Sequence, residues 1–251
     1  FSKFASLIKM STVQNTKQNV QEFNSDVMDN GGYRYTSNAP YSSIVSNKRI
    51  TDETVKVLRN IGNVKSVIDI GCGDGTYTAD LKKALPNVDF IGFDPATEAI
   101  ALANGKYPNC EFIVGNVLDP ATFPQKKYDV AVIRGVIHHL PTQSAAVKNA
   151  ALLSDRVLII EPNGNNPILK WIEKNSEYHI KHEEQSFSSD FLSQICTENG
   201  LKVKYLSFIG FVPFFFPTLP SKVIYALQPV LEHVPLLGRF FGAQTVILAE
   251  K

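Results

Sequence analysis

The chain is poor in cysteine, nearly free of net charge and without an apolar run long enough to cross a bilayer. Its three cysteines, Cys72, Cys110 and Cys196, are an odd count with no C-x-x-C spacing, which argues against a disulfide framework or a structural zinc site and for a reducing compartment. Against 25 basic residues stand 24 acidic ones, so the formal charge of +1 gives no general attraction for nucleic acid. Phe1 to Met10 carries Lys3 and Lys9 and lacks both a sustained apolar core and a small-residue cleavage pattern, so no signal peptide is read there. A cytoplasmic location is the expectation. What remains, 251 residues of which 44% are hydrophobic, suffices for one large domain with additions.

The stretch that stands out is Val67-Ile68-Asp69-Ile70-Gly71-Cys72-Gly73-Asp74-Gly75-Thr76, an apolar strand that turns through alternating glycines into a helix. Residues without Cβ can take φ > 0 and let a ligand lie against the peptide groups, and the unpaired N–H groups of the next helix face it. Dinucleotide-binding folds use a similar turn, so the cradle alone does not name its ligand.

Around it, strands and helices alternate. Strands are expected at Val67–Ile70, Val88–Phe93, Phe112–Val114, Tyr128–Ile133 and Val157–Ile160, with helices at Tyr77–Leu85, at Thr97–Lys106 and from Pro141-Thr142. This order specifies an α/β fold, a doubly wound Rossmann-like parallel sheet with helices on both faces, in which ligands bind at the carboxyl ends of the strands. Asp69, Asp94, Asn116, Arg134 and Glu161 all fall at that edge. Upstream, helical spacing recurs in the first sixty residues, and Thr51-Asp52-Glu53 reads as the capped start of a helix that ends at Gly62. The segment from Gly31 to Tyr41, with Tyr33 and Tyr35, reads as a loop, either a lid over a ligand or a plain connector. Downstream, Phe187-Ser188 opens a helix with Ser188 as cap and Phe187 stapled to Leu192, Gly200 closes it, and Leu201–Ile209 and Thr245–Ala249 are two more strands.

With these residues placed, the chain resembles the class I S-adenosylmethionine-dependent methyltransferases, in their small-molecule (type 11/12-like) branch. The resemblance covers roughly residues 50–251 and rests on Asp69-x-Gly71-x-Gly73-x-Gly75, Asp94-Pro95, Asn116-Val117, the run from Arg134-Gly135 to Leu140, and the final strand pair, which in that family is an antiparallel edge. It implies two regions: an N-terminal helical cap and lid over 1–62, and a cofactor-binding domain over 63–251 with an insertion at 210–242. It implies S-adenosyl-L-methionine as cofactor. Gly71, Cys72 and Gly73 would pass beneath its methionine and ribose portions, Asp69 would orient its amino end, Asp94, followed by Pro95, would accept from both ribose hydroxyls, Asn116 and Val117 would meet the adenine edge, and Arg134 and Gly135 would lie near the methionine moiety. Asn116 departs from the commoner Asp of the family. An oxidoreductase also carries an acid about twenty residues after its glycines; Asp69 inside the strand and the two-strand edge favour the methyltransferase. An inactive cofactor-binding partner subunit is the alternative from another class.

For a hydroxyl or amine acceptor a base is needed, and His138 or His139, just past strand four, is the candidate. The competing reading is that either ring merely caps or packs the following helix. His182 and Glu183 are weaker candidates for the same cleft, and Tyr33, Tyr35 and Tyr41 could close over the sulfonium. No Asn/Asp-Pro-Pro-aromatic tetrapeptide follows strand four, which together with the charge balance argues against nucleic-acid modification. Residues 210–242 carry six phenylalanines, five prolines and only Lys222, Glu232 and Arg239 as formal charges. The prolines forbid one continuous helix. A shorter stripe of Val223, Leu227, Val230, Leu231 and Val234, interrupted at Pro229, is read as a cap making an apolar acceptor pocket or a homodimer contact, or else as a peripheral membrane contact. The expected acceptor is an apolar or amphiphilic small molecule.

Overall fold

The structure, a computed structural model, describes residues 20–21, 24–25, 27–28, 31–32, 39–175, 185–214 and 216–251. Seven strands form one sheet: β1 (Ser66–Ile70), β2 (Asp89–Asp94), β3 (Glu111–Val114), β4 (Val130–Arg134), β5 (Arg156–Pro162), β6 (Lys202–Ile209) and β7 (Gln244–Glu250). Their order is β3-β2-β1-β4-β5-β7-β6. The first five pair in parallel, and β7 runs antiparallel to both β5 and β6. The named helices are α1 (Tyr41–Ile61), α2 (Thr76–Ala84), α3 (Thr97–Lys106), α4 (Gln143–Leu153), α5 (Pro167–Asn175), α6 (Ser189–Glu198), α7 (Thr218–Leu231) and α8 (Pro235–Phe241).

The central strands read as continuous apolar runs because both of their faces are buried. Ile68, Ile70, Ile133 and Ile159 pack with Val147 of α4 and Leu192 of α6 on one face. Val67, Val132, Leu158 and Ile160 pack with Ile50 and Leu58 of α1 and Leu81 of α2 on the other. Strand order reverses between β1 and β4, so the loops that follow them part and leave a crevice at the carboxyl edge.

Three local expectations change. The helix expected to open at Thr51 begins ten residues earlier, at Tyr41, and the Thr51 hydroxyl donates to the Asn47 carbonyl within the helix rather than capping it. The reason is tertiary: Ser42 and Ser43 donate to the Phe214 carbonyl at 2.8 and 2.5 Å, and Ser46 to that of Val212 at 2.7 Å, so these serines upstream of Thr51 are buried within the helix. At α6, Ser188 caps as expected, its hydroxyl accepting from Phe191 N–H at 3.2 Å. Phe187, however, stacks on Phe191 with ring centroids 4.9 Å apart, while Leu192 enters the core. In the 210–242 segment the prolines do divide the chain into two helices, but α7 runs through Pro229 to Leu231. Pro229 lies in its last turn, where few residues remain to be displaced by the lost bond to the Tyr225 carbonyl, and Glu232 N–H bonds the Gln228 carbonyl across it.

Candidate active site

The carboxyl ends of β1, β2 and β4 and the loop after β3 enclose a cavity of about 270 Å³. All ten residues assigned to the cofactor line it: Asp69, Gly71, Cys72, Gly73, Asp94, Pro95, Asn116, Val117, Arg134 and Gly135. Gly71, Gly73 and Gly75 have φ of 76°, 55° and 76°. At Gly71 the demand comes from packing as well as conformation, since a Cβ would lie 2.2 Å from Val136 Cγ2 in the loop after β4.

Three buried carboxylates line this space, Asp69, Asp74 and Asp94. Asp94 accepts from Gly73 N–H at 2.9 Å and Ala96 N–H at 2.8 Å, which ties the end of β2 to the glycine loop. Burial pushes its carboxyl up to about 6, against the pull of those two donors. Asp69 accepts from the Thr78 hydroxyl at 2.5 Å, and burial pushes it up to about 6 as well, opposed by Thr78 and the field of Arg134. The Arg134 guanidinium lies 3.8 Å from the centre of the Tyr77 ring and donates to Asn47 Oδ1, so α1 helps fix it. Desolvation lowers its pKa from the ordinary value. Burial, first, and the neighbouring Asp94 and Asp69 raise the Cys72 thiol well above its usual range, which keeps it protonated and inert.

The histidines part company. His139 lines the cavity, whereas His138 does not. His138 Nδ1 instead lies 2.7 Å from Oε2 of Glu161, a fully buried carboxylate whose Oε1 also accepts from Val136 N–H and Ile137 N–H at 2.8 Å each. Glu161 therefore does not face the cleft; it holds the loop after β4 from below. The two imidazole rings lie against each other at a tilt of 41°, with centroids 3.8 Å apart.

Asn116 lines the cavity, but its Oδ1 already accepts from Leu118 N–H at 2.8 Å, so one lone pair of the oxygen expected to meet the adenine amine is used within the loop. Tyr41 is not brought to the cavity: it opens α1, with Lys222 Nζ 5.6 Å from its ring centre. Tyr33, Tyr35, His182 and Glu183 lie outside the described residues. No described residue of 210–242 lines the cavity. Residues not anticipated are Asp74, Tyr77, Phe93, Val136, Leu140 and, from the N-terminal segment, Val20. Tyr77 carried a signal of its own, an aromatic in the first turn after the glycine loop.

This is the fold and site architecture of a class I methyltransferase. A family profile described as a methyltransferase domain matches residues 42–206, and the chain belongs to that family. Protein 235L of Invertebrate iridescent virus 6, named as a methyltransferase, is 24% identical over 222 residues, covering 82% of this chain and 79% of that protein. Methyltransferase str2 of Strobilurus tenacellus is 31% identical over 91 residues, 36% of this chain and 31% of its own length. A Schizosaccharomyces pombe methyltransferase is 28% identical over 102 residues, 36% of each chain, so this match and the Strobilurus one span only about a third of those relatives. Among solved structures, the magnesium protoporphyrin IX methyltransferase of Synechocystis superposes with a TM-score of 0.59 at 18% identity, covering 83% of this chain and 84% of that one. A methyltransferase of Archaeoglobus fulgidus gives 0.55 at 19%, covering 84% and 100%. S-adenosylmethionine is the cofactor of such enzymes, and the cavity suits it: the carboxylates of Asp69, Asp74 and Asp94, one guanidinium and an apolar slot of Phe93, Val117 and Leu140 match a ligand with a diol, an amino-acid end and a flat base.

Among the described residues no helix is long and apolar enough to cross a membrane, and no cluster of three or more His, Cys, Asp or Glu could hold a metal ion.

Proposed function

We propose that the protein transfers a methyl group from S-adenosylmethionine to an apolar or amphiphilic small-molecule acceptor. The observation that carries this reading is the cavity itself, where Asp69, Asp94 and Arg134 converge at the strand-order reversal with His139 in the same wall. Asp94 accepts from the ribose hydroxyls with the lone pairs that Gly73 and Ala96 leave open. Asp69 and Arg134 take the amino and carboxylate ends of the methionine portion, and Asn116 and Val117 border the base. The cofactor supplies a sulfonium methyl and its own leaving group. The chain therefore has to align the acceptor, exclude water and, for a hydroxyl or protonated amine, take up a proton.

His139 is placed to take that proton. His138 acts behind it: held by Glu161, it fixes the neighbouring ring by a tilted ring contact. His139→Ala is expected to lower turnover by about 10²-fold or more while changing cofactor affinity far less. Full activity of that variant would remove the base from the account. The acceptor class is tested by incubating the protein with methyl-labelled cofactor and a total small-molecule extract, then partitioning the products. Label in the organic phase supports the reading. Label confined to the aqueous phase refutes the acceptor class, and cofactor binding without transfer to any fraction favours an inactive partner subunit.

A further inference from the structure

Helix α7 is amphipathic with its faces reversed. Ser221 and Gln228 are its buried residues; the Ser221 hydroxyl donates to the Pro217 carbonyl at 2.8 Å, and Gln228 Oε1 accepts from Phe211 N–H at 3.1 Å. Leu219, Val223, Leu227 and Val230, at helical spacing, are each more than half exposed. After three residues α8 continues the pattern with Leu236 exposed to 67%. A helix that spends its polar residues on the protein and its leucines and valines on the outside is built for an apolar surrounding. Beside α8 packs α5, none of whose residues is buried and whose Trp171, exposed to 66%, is the single tryptophan of the chain.

Charge decides what covers these helices. The outward charges on α5, α7 and α8 are Lys174, Lys222 and Arg239, all cationic, with Arg239 also reaching the exposed Asp190 at 3.3 Å. The acids of the same segments are turned in: Glu173 accepts from Lys170 and from Ser186 N–H, and Glu232 from Arg49 and from Gly210 N–H. A two-fold contact with a second copy would set like charges against each other, whereas anionic headgroups complement them. The location also fits. Gln244, which follows α8 closely, pairs with Pro162 at the end of β5, and α5 follows β5, so both helices flank the edge of the sheet that holds the cavity.

We propose that α7, α8 and Trp171 of α5 seat the protein in the interface of an anionic lipid bilayer. The docking does not depend on the methyl-transfer reading, so a protein that binds cofactor but not vesicles overturns the docking alone. The test uses the full chain and vesicles of phosphatidylcholine and phosphatidylglycerol at roughly two to one, with pure phosphatidylcholine for comparison. Co-sedimentation with the anionic vesicles is expected, accompanied by a blue shift of the Trp171 emission and weakened by salt. Val223→Asp combined with Val230→Asp is expected to reduce vesicle binding at least tenfold, with the circular dichroism spectrum and cofactor affinity unchanged to show that the variant folds. Absence of vesicle binding by the unsubstituted chain, or equal binding by the double variant, overturns the proposal. So does a dimer in sedimentation equilibrium that the double variant abolishes while vesicles bind neither form.

Discussion

At the scale of single residues, two of the cavity carboxylates, Asp69 and Asp94, make affinity depend on pH in a defined direction. Asp69 and Asp94 both sit at about 6 in the ligand-free protein. A ligand that brings an ammonium and hydroxyl donors favours their ionised forms and lowers both values. The proton must then leave on binding below pH 6, so affinity is flat above about pH 7 and falls by about tenfold per carboxylate between pH 7 and pH 5. The ligand-free fold has the opposite sign. A carboxyl whose folded value lies above the unfolded one, about 3.9, takes up protons on folding, so the stability these two groups allow is fullest below about pH 4 and is lost as pH rises through 6. Titrations of S-adenosylhomocysteine at pH 5, 6 and 7 check the first statement; an affinity independent of pH would contradict it. Glu161 gives a second prediction. Glu161→Ala leaves the N–H groups of Val136 and Ile137 without their acceptor, at about 1–3 kcal/mol each, and lowers the urea midpoint accordingly. Glu161→Gln keeps an acceptor for them and is expected to recover most of that stability, while the charge facing His138 is lost. That difference separates holding the loop from holding the imidazole.

At the scale of elements, α1 is the joint between the sheet and the C-terminal helices. Arg49 donates to both carboxylate oxygens of Glu232, at 2.9 and 2.8 Å, and to Glu53 at 2.8 Å. Glu53 is fully buried, yet Tyr205, Arg49 and Lys56 hold its carboxyl below the usual range against desolvation. Arg49→Ala strands a buried charge and is expected to cost about 3–5 kcal/mol, and Arg49→Ala with Glu232→Ala less than the sum of the single changes. Chemical denaturation of the four proteins of this cycle measures it; strict additivity would mean that the pair is not coupled. The links to Glu232 and Tyr205 were not legible in the sequence, because they join residues 183 and 152 positions apart. The same holds for the start of α1, read at Thr51 from the cap pattern Thr51-Asp52-Glu53, whereas acceptors about 170 residues onward hold the serines before it in the helix. By contrast, β1, β2, β4 and β5 were visible as apolar runs because each is buried on both faces, a property of the strand's own residues.

At the scale of the whole molecule, the parallel sheet collects the polar ends of its strands at one edge. That rule made Asp69, Asp94, Asn116 and Arg134 readable as one site before any contact was known. It put Glu161 at the same edge without telling its role, since ending there does not determine whether a side chain turns into the crevice or beneath a loop. It could not reach Val20 or Tyr77, whose presence in the cavity wall depends on packing between elements. The central claim is that this edge is the seat of a methyl donor, with Asp94 its principal anchor. Isothermal titration of the full chain with S-adenosylhomocysteine, alongside Asp94→Asn, tests it most directly. The account predicts one-to-one binding by the unsubstituted chain and a loss of at least tenfold in Asp94→Asn, about 1.4 kcal/mol or more. No binding by the unsubstituted chain, or equal binding by both proteins, would contradict it.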